Sequence, residues 1–333
     1  MEHKIVIADC DHDNIDVELS ILAKYGLTCD WRNCITEQSL IKDCQDATVL
    51  LIEYANITRR VLEALPNLKQ VVRYGVGLDT VDIDAATEHG VQICNVPDFG
   101  MNEVADHAMA HTLYLLRKLY ITNSNIRSGT WDYVKTVPIH RFSCLTIGII
   151  GLGRIGKQYA KRANAFGFRI IASDDRAFDV PDYVTMVPFE TLLEQSDVVS
   201  LNCPRNNNID LVSDREFSMM KKGACIINVS RGGLINEDAL ERALSSGKIA
   251  GAGIDVVSSE PMPRDHPLLK HDNVSISPHM AWYSEESFLE LCSKVAEEAV
   301  RFVRGEELCY PVNKIQICNR YYDFKFNKNK ERS

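Results

Sequence analysis

Residues 145–166 read LTIGIIGLGRIGKQYAKRANAF, and this stretch predicts a strand, a glycine-rich turn and a helix in succession. The apolar run LTIGII is typical of a buried parallel strand, and KQYAKRANAF has the spacing of an amphipathic helix. Between them stand Gly151, Gly153 and Gly156. In such a turn the first glycine permits a tight bend, the second lets the main chain approach a pyrophosphate, and the third lets helix and strand pack closely. The stretch therefore predicts a dinucleotide-binding domain.

The next apolar run, FRIIAS, ends at Asp174, where a carboxylate can accept hydrogen bonds from the adenine ribose hydroxyls. A carboxylate there repels a 2′-phosphate, so NAD is favoured over NADP; Asp175 strengthens this preference and Arg176 weakens it slightly. The helix after the glycines presents N–H groups and partial positive charge to the phosphates. The alternative is a glycine turn in an unrelated α/β protein. The expected cofactor site consists of Gly151, Gly153, Arg154, Ile155, Gly156, Asp174, Pro204, Ser230 and Asp255.

Two series of alternating strands and helices extend outward from this motif. The first hundred residues contain the apolar runs IVIAD, TVLLIEY, LKQVVRYG and VQICNVP, with helical spacing at 14–25 and 58–65. The second series has six strand candidates: LTIGIIGLG, FRIIASDD, DVVSLNCP, GACIINVS, IAGAGIDVV and NVSISPH. Continuous apolar strands separated by helices are typical of parallel sheets covered on both faces. The fold class predicted is therefore α/β, with two doubly wound parallel-sheet domains of Rossmann or flavodoxin type.

Two long helices connect these series. Residues 101–119 have the pattern of one helix, with acidic side chains early and basic ones late, as the helix dipole favours. A last helix over 284–304 would return the chain to the first domain. The predicted domains are residues 1–101 plus 285–333, and residues 102–284.

Composition limits the class of protein. The chain has 333 residues, of which 45% are hydrophobic and 25% charged, and a net charge of -9, which argues against binding to nucleic acid. No stretch approaches the length needed to cross a bilayer. The eleven cysteines are scattered and never form a CxxC pattern, and the N-terminus lacks the features of a signal peptide. We expect a reduced protein of the cytoplasm, without nucleic acid or membrane partners.

Three further motifs lie at the ends of predicted strands, where open α/β sheets bind ligands. They are NVSRGGLINEDAL with Arg231, GIDVVSSEP with Glu260, and SISPHMAWYS with His279. Arginine can hold a carboxylate and a carbonyl in a forked geometry, histidine can exchange a proton near neutral pH, and a glutamate beside the imidazole favours its protonated form. Each residue alone is more often a surface ion pair, a solvated acid or a loop histidine. Their joint placement after a dinucleotide motif favours a catalytic trio.

These motifs, in this order, resemble the D-isomer-specific 2-hydroxyacid dehydrogenases over nearly the whole chain, from RYGVGLDTVDIDAA to SPHMAWYSEES. The resemblance implies an NAD-dependent reduction of a small 2-keto acid, with an active site in the cleft between two domains. It implies catalytic roles for Arg231, Glu260 and His279, and binding of the substrate carboxylate by the main chain of residues 74–77. The expected substrate-binding residues are Tyr74, Gly75, Val76, Gly77, Arg231, His279 and Trp282.

The element PHMAWYSE resembles the branch that contains the C-terminal-binding proteins, where the tryptophan matching Trp282 lines the substrate pocket. The resemblance also implies a homodimer through the 101–119 helix. Two other functions stay open. One is an NAD(H)-sensing, corepressor-like binding protein, and the other is a phosphoglycerate-type biosynthetic dehydrogenase, for which Arg73 is the one obvious extra cation near the carboxylate loop.

Three smaller features have two interpretations each. His107 and His111 are spaced to share one helix face and could bind zinc, but packing is the better account and no metal is expected. Asp255 is placed either near the nicotinamide or as a cap of the following turn. For Trp131 and Tyr133 loop packing comes first and substrate contact second.

Overall fold

The computed structural model describes residues 3–205 and 208–315 of the chain. These fall into two compact units, one within Met1–Phe99 and Glu285–Ser333 and the other within Gly100–Ser284. Each unit has its own parallel sheet.

The first unit is built on a five-stranded sheet with the order β2-β1-β3-β4-β5. All neighbouring strands are parallel, and in the β1–β3 pair Ile5 lies opposite Val49. Its central strands are buried on both faces, as their unbroken apolar runs predict. The strands are β1 (Ile5–Ile7), β2 (Cys29–Trp31), β3 (Val49–Ile52), β4 (Gln70–Arg73) and β5 (Gln92–Cys94).

Among the described residues, five helices belong to this unit. Two begin at threonines, Thr36 and Thr58, whose hydroxyls accept a hydrogen bond from the third residue of the helix, and another begins at Asp82 in the same way. The longest helix packs on α1 and β4 through a stripe that includes Leu291, Val295 and Ala299. The helices are α1 (Asp16–Ala23), α2 (Glu37–Asp43), α3 (Arg59–Ala64), α4 (Ile83–Glu88) and α11 (Glu285–Arg304).

The second unit has a seven-stranded parallel sheet with the order β12-β11-β10-β9-β6-β7-β8. The direction of strand order reverses between β6 and β9, where Ile147 pairs with Val198. Open α/β sheets bind their ligands beyond the strand ends at such a reversal. The strands are β6 (Thr146–Ile150), β7 (Arg169–Ser173), β8 (Val184–Met186), β9 (Val198–Leu201), β10 (Ala224–Asn228), β11 (Ile249–Ile254) and β12 (Val274–Ile276).

The helix α5 packs directly on β10 and β11 of this sheet and on α7. A side chain at Gly253 of β11 would place its Cβ 2.6 Å from Cβ of His111, so a glycine is needed for this close approach. On the other side of α5, Thr112 and the hydroxyl of Tyr159 form a buried hydrogen bond of 2.7 Å. The helices are α5 (Met101–Leu116), α6 (Leu119–Arg127), α7 (Arg154–Ala165), α8 (Phe189–Gln195), α9 (Asp214–Met219) and α10 (Glu237–Ser245).

The predicted fold class is confirmed, whereas three details of it are wrong. The strands β2 and β8 were missed because each has only three residues and is partly exposed, so neither has an apolar run. The single helix predicted over 101–119 is two helices, since the chain turns at Lys118, which has a left-handed backbone (φ 52°). In the part of the chain that the structure describes, no helix combines the length and hydropathy needed to span a membrane.

Candidate active site

The glycine turn after β6 has the geometry that its sequence predicts. Gly151 has a φ of 92°, and a Cβ there would lie 2.6 Å from the carbonyl oxygen of Asn202. A Cβ on Gly156 would lie 2.2 Å from the carbonyl oxygen of Gly151, so helix α7 can approach the strand only with glycine here. At Gly153, by contrast, no atom lies within 4 Å of where a Cβ would be. The turn is therefore tightly packed at Gly151 and Gly156 and leaves room at Gly153 for a phosphate group.

Asp174 follows β7 and fixes this turn. One carboxylate oxygen accepts the N–H of Leu152 and the other the N–H of Arg176, both at 2.8 Å. The first helical turn of α7 carries Arg154, which is exposed, and Ile155, which is half-buried. These residues meet the requirements of a dinucleotide site: an open glycine, a helix N-terminus and an oriented carboxylate.

Two more expected cofactor residues lie at neighbouring strand ends. The Ser230 hydroxyl donates to the carbonyl oxygen of Leu201 at 2.9 Å and so joins the ends of β10 and β9. Pro204 is exposed, beyond β9. Asn228, which the sequence analysis did not select, donates from its amide to the carbonyl oxygen of Arg231 at 2.9 Å and accepts the N–H of Ser230. A polar residue at the end of an apolar strand was the available signal.

His279 and Glu260, for which catalytic roles are expected, lie next to each other. His279 Nδ1 and Glu260 Oε2 are 2.7 Å apart, and the other oxygen of Glu260 accepts the N–H of Val257 at 3.1 Å. About 40% of the His279 side chain is exposed, so the pair is accessible to a small molecule. An imidazole bonded through Nδ1 to a carboxylate presents Nε2 for proton exchange.

Arg231 lies within electrostatic range of this pair. A Cβ on the adjacent Gly232 would overlap the carbonyl oxygen of Val257, so the loops that carry Arg231 and Glu260 touch. Burial by itself would raise the pKa of Glu260, but the hydrogen bond and charge of His279, the N–H of Val257 and the charge of Arg231 together lower it. Glu260 is therefore an anion near neutral pH, bonded to the ring of His279.

The backbone of His279 is held in an uncommon conformation. Its φ is 52°, in the left-handed region, which costs about 1–3 kcal/mol in a residue other than glycine. The buried carboxylate of Asp255 holds this turn: Oδ1 accepts from the hydroxyl of Ser277 at 2.6 Å and from the N–H of Met280 at 3.0 Å, and Oδ2 accepts the N–H of Ala281 at 2.9 Å. Of the two roles considered for Asp255, the structure shows that of a turn cap.

His107 and His111 form part of the same support. His107 Nε2 lies 2.8 Å from the hydroxyl of Ser277, and His111 Nδ1 lies 2.9 Å from that of Ser275. Burial lowers the pKa of His111 to about 4, so its ring is neutral. Helix α5 thus contacts the turn of His279 through Ser277, a residue that sequence reasoning missed although it stands two positions before the histidine.

Trp282 follows this turn. It is half-buried and lies edge-to-face with Tyr283, with ring centroids 5.6 Å apart. Its carbonyl oxygen would be 3.2 Å from a Cβ on Gly100, the residue before α5. Trp131 and Tyr133, for which loop packing was expected, are instead 92% and 74% exposed.

The loop at 74–77, in the first unit, differs from expectation at Tyr74. The N–H of Tyr74 donates to the carbonyl oxygen of Ile52 at 2.7 Å, and its buried hydroxyl donates to Glu18 at 2.7 Å. Both groups are therefore already used inside this unit, and the expectation that Tyr74 presents its N–H to a ligand is wrong. Gly75 has a φ of 122° and Val76 is exposed, so residues 75–77 keep the loop character that the prediction requires.

Comparison with known proteins agrees with these features. Residues 109–281 match the family model for the NAD binding domain of the D-isomer specific 2-hydroxyacid dehydrogenases. A glyoxylate reductase of Korarchaeum cryptofilum is 38% identical over 277 residues, 80% of this chain and 82% of that protein. A D-3-phosphoglycerate dehydrogenase of Archaeoglobus fulgidus is 34% identical over 302 residues, but these are 89% of this chain and only 57% of the longer relative.

Comparison with solved structures gives the same result. A glyoxylate reductase from Paecilomyes thermophila superimposes with a TM-score of 0.83 and 31% identity, covering 94% of this chain and 99% of that one. The chain belongs to the D-isomer-specific 2-hydroxyacid dehydrogenase family. The predicted family is thus confirmed, and the predicted class, an NAD-binding oxidoreductase acting on CH–OH groups, agrees with it.

Proposed function

We propose that the protein reduces a small 2-keto acid to the D-2-hydroxy acid with NADH. The observation that carries this proposal is the 2.7 Å His279–Glu260 pair, which stands beside the Arg231 loop at the strand ends of the NAD-binding unit. A pair of this kind is suited to proton exchange with a hydroxyl, and an adjacent arginine is suited to a carboxylate.

Each residue has a separate role in this proposal. A bound nicotinamide supplies the hydride. His279 gives its Nε2 proton to the carbonyl oxygen as that oxygen gains negative charge, Glu260 stabilises the protonated imidazole, and Arg231 orients the carboxylate and polarises the carbonyl. Asp255 and Ser277 keep His279 in place. The substrate contacts of Gly75, Val76, Gly77 and Trp282 remain predictions.

An unphosphorylated substrate is favoured over a phosphoglycerate-type one. Arg73, the extra cation considered for a phosphate, lies among acids: its Nε donates to the carbonyl oxygen of Glu53 at 3.4 Å. Its charge is one of the factors that lower the pKa values of Asp9 and Glu53, although burial dominates and raises both. Arg73 is therefore already engaged by a group of its own unit, which disfavours its use for a phosphate. The relatives named as glyoxylate reductases suggest a two- or three-carbon keto acid.

The test is a substitution that removes only the proton donor. His279→Ala should abolish turnover of the keto acid, while the dissociation constant of NADH stays within about threefold of the wild-type value. Loss of NADH binding together with turnover would mean that His279 supports the fold of the site instead. An NAD(H) sensor would bind NADH tightly in both proteins and turn over no keto acid in either.

We also propose that the protein is a homodimer of the cytoplasm. Helix α5 buries its apolar face in its own unit, and the following segment exposes Leu119, Ile126, Trp131 and Tyr133. Patches of this kind mark interfaces between proteins. The ten cysteines of the described residues are all free, in keeping with a reducing compartment. Light scattering should give twice the 37.5 kDa chain mass, and Trp131→Ser should shift the population towards the monomer.

A further inference from the structure

A buried histidine in the first unit has an unused nitrogen. His12 lies in the loop after β1, and only 3% of its side chain is exposed. Its Nε2 has no hydrogen-bond partner. Buried polar atoms of proteins are nearly always hydrogen-bonded, so an isolated ring nitrogen indicates a site for another ligand.

This nitrogen faces two carboxylates. Nε2 lies 4.0 Å from Asp11 Oδ1 and 4.0 Å from Glu53 Oε2, and one donor atom from each of the three residues lies within 4.8 Å of the others. Both carboxylates are already oriented. Glu53 accepts the N–H of Asp11 at 2.9 Å, and Asp11 accepts from the hydroxyl of Tyr54 at 3.1 Å. Asp11 is 52% exposed, so the cluster is open to ions from solvent on that side.

The opposite nitrogen of the same ring faces a third carboxylate. Nδ1 of His12 lies 3.8 Å from Glu18 Oε1, and this buried carboxylate accepts the Tyr74 hydroxyl at 2.7 Å. Tyr74 and Phe288 pack edge-on against the ring, at centroid distances of 5.2 and 4.8 Å. Histidines that bind metals commonly direct their second nitrogen to a carboxylate, which orients the ring and increases its basicity.

We propose that Asp11, His12 and Glu53 bind a divalent transition-metal ion, with Zn²⁺ as the best match. One imidazole and two carboxylates suit this ion, and solvent completes the coordination. Bonds of 2.0–2.1 Å to a tetrahedral ion place neighbouring ligand atoms about 3.4 Å apart. Each 4.0 Å separation must therefore contract by about 0.6 Å, a small movement for the side chain of exposed Asp11.

A second set of possible ligands around the same histidine is less suited to a metal ion. Cys292 Sγ lies 3.9 Å from Nδ1 of His12, so His12, Glu18 and Cys292 could also be ligands. All three are buried, however, and Glu18 is already bonded to Tyr74. The geometry therefore favours the Asp11 side of the ring.

The ion would have a structural role independent of the dehydrogenase site. It would connect the loop after β1 to the end of β3, because Asp11 and His12 follow one strand and Glu53 the other. Binding to the folded chain alone stabilises it by mass action. The melting temperature should rise with added Zn²⁺.

The test measures Zn²⁺ binding by calorimetry to the full chain after treatment with a chelator. We expect one equivalent to bind, and Asp11→Asn, His12→Gln and Glu53→Gln each to weaken binding at least tenfold. Glu18→Gln should weaken it about 10- to 100-fold through the orientation of His12. His89→Gln is the matched control, since this histidine of the same unit bonds to the carbonyl oxygen of Ala85 and should leave affinity unchanged. A far-ultraviolet circular dichroism spectrum and a cooperative melting transition like those of the wild type show that each variant is folded.

Two results would overturn the proposal. One is that Asp11→Asn and His12→Gln both bind Zn²⁺ as tightly as the wild type does, or that the wild type itself shows no measurable binding. The other is loss of binding in Cys292→Ser, together with a thiolate charge-transfer band in the Co²⁺ spectrum, which would place the ion on the Cys292 side. Because Asp11 is exposed, its substitution remains informative if His12→Gln does not fold.

Discussion

Replacing Asp255 by asparagine tests how the position of His279 is maintained. Both oxygens of the Asp255 carboxylate accept hydrogen bonds, whereas asparagine has one accepting oxygen. If that oxygen keeps Ser277 and Met280, the amide of the new side chain faces the N–H of buried Ala281. A buried donor without a partner costs about 1–3 kcal/mol. The left-handed backbone of His279 has a similar cost of about 1–3 kcal/mol, which the hydrogen bonds of Asp255 help to offset.

The two effects predict a measurable change in both stability and rate. A loss of about 1–3 kcal/mol lowers the melting temperature of a domain of this size by roughly 2–12 °C. If the same free energy releases the His279 turn, kcat falls by about 5- to 150-fold. Calorimetric melting and steady-state reduction of a keto acid measure the two quantities, and fluorescence titration gives the NADH dissociation constant, which should change less than threefold.

Asp197→Asn provides a matched control. Asp197 accepts the N–H of Thr146 at 2.8 Å and the Lys221 ammonium at 2.9 Å, in the same unit but before β9. Its substitution should lower the melting temperature and leave kcat unchanged. The reasoning would be refuted by wild-type kcat in a destabilised Asp255→Asn protein. A tenfold loss of NADH affinity with normal kcat would instead assign Asp255 to the nicotinamide.

Three further predictions concern neighbouring residues. In Glu260→Gln the kcat for keto acid reduction should fall, because the carboxylate that bonds to the His279 ring is gone, and an unchanged kcat would contradict this role. Since the folded pKa of Glu260 is lowered, the wild type should be more stable than this variant at neutral pH and lose the difference as pH falls below 4.5 towards that pKa. Gly153→Ala should weaken NADH binding at least tenfold without changing the melting temperature, whereas Gly156→Ala should cost about 1–3 kcal/mol of stability; equal melting temperatures would contradict the assigned roles. Asp174→Ala should reduce the preference for NADH over NADPH, measured as the ratio of kcat/KM values, and an unchanged ratio would remove Asp174 from cofactor selection.

The sequence predicts those parts of the molecule whose chemistry is local. The glycine turn could be predicted because backbone atoms lie against Gly151 and Gly156 and exclude a side chain there, while Gly153 leaves open the space that a phosphate needs. Long strands such as β6 and β10 could be predicted because each is a continuous apolar run in the sequence. The short strands β2 and β8 were not, since pairing with a neighbour and not apolar content makes them strands.

The supports of the site depend on tertiary contacts that no local pattern encodes. Ser277 could have been noticed beside His279, but its bonds to Asp255 and His107 join three separate elements. Tyr74 shows the opposite error. Its position in the loop motif suggested a ligand contact, while the fold directs its hydroxyl to Glu18.

The most direct test of the proposed function is NADH oxidation followed by absorbance against a panel of 2-keto acids. The panel contains glyoxylate, pyruvate, hydroxypyruvate, longer and aromatic keto acids, and a phosphorylated one. We predict rapid oxidation with a small unphosphorylated member, slower turnover with NADPH, and none with His279→Ala. Tight NADH binding without turnover of any member, or turnover that survives in His279→Ala, would contradict the account.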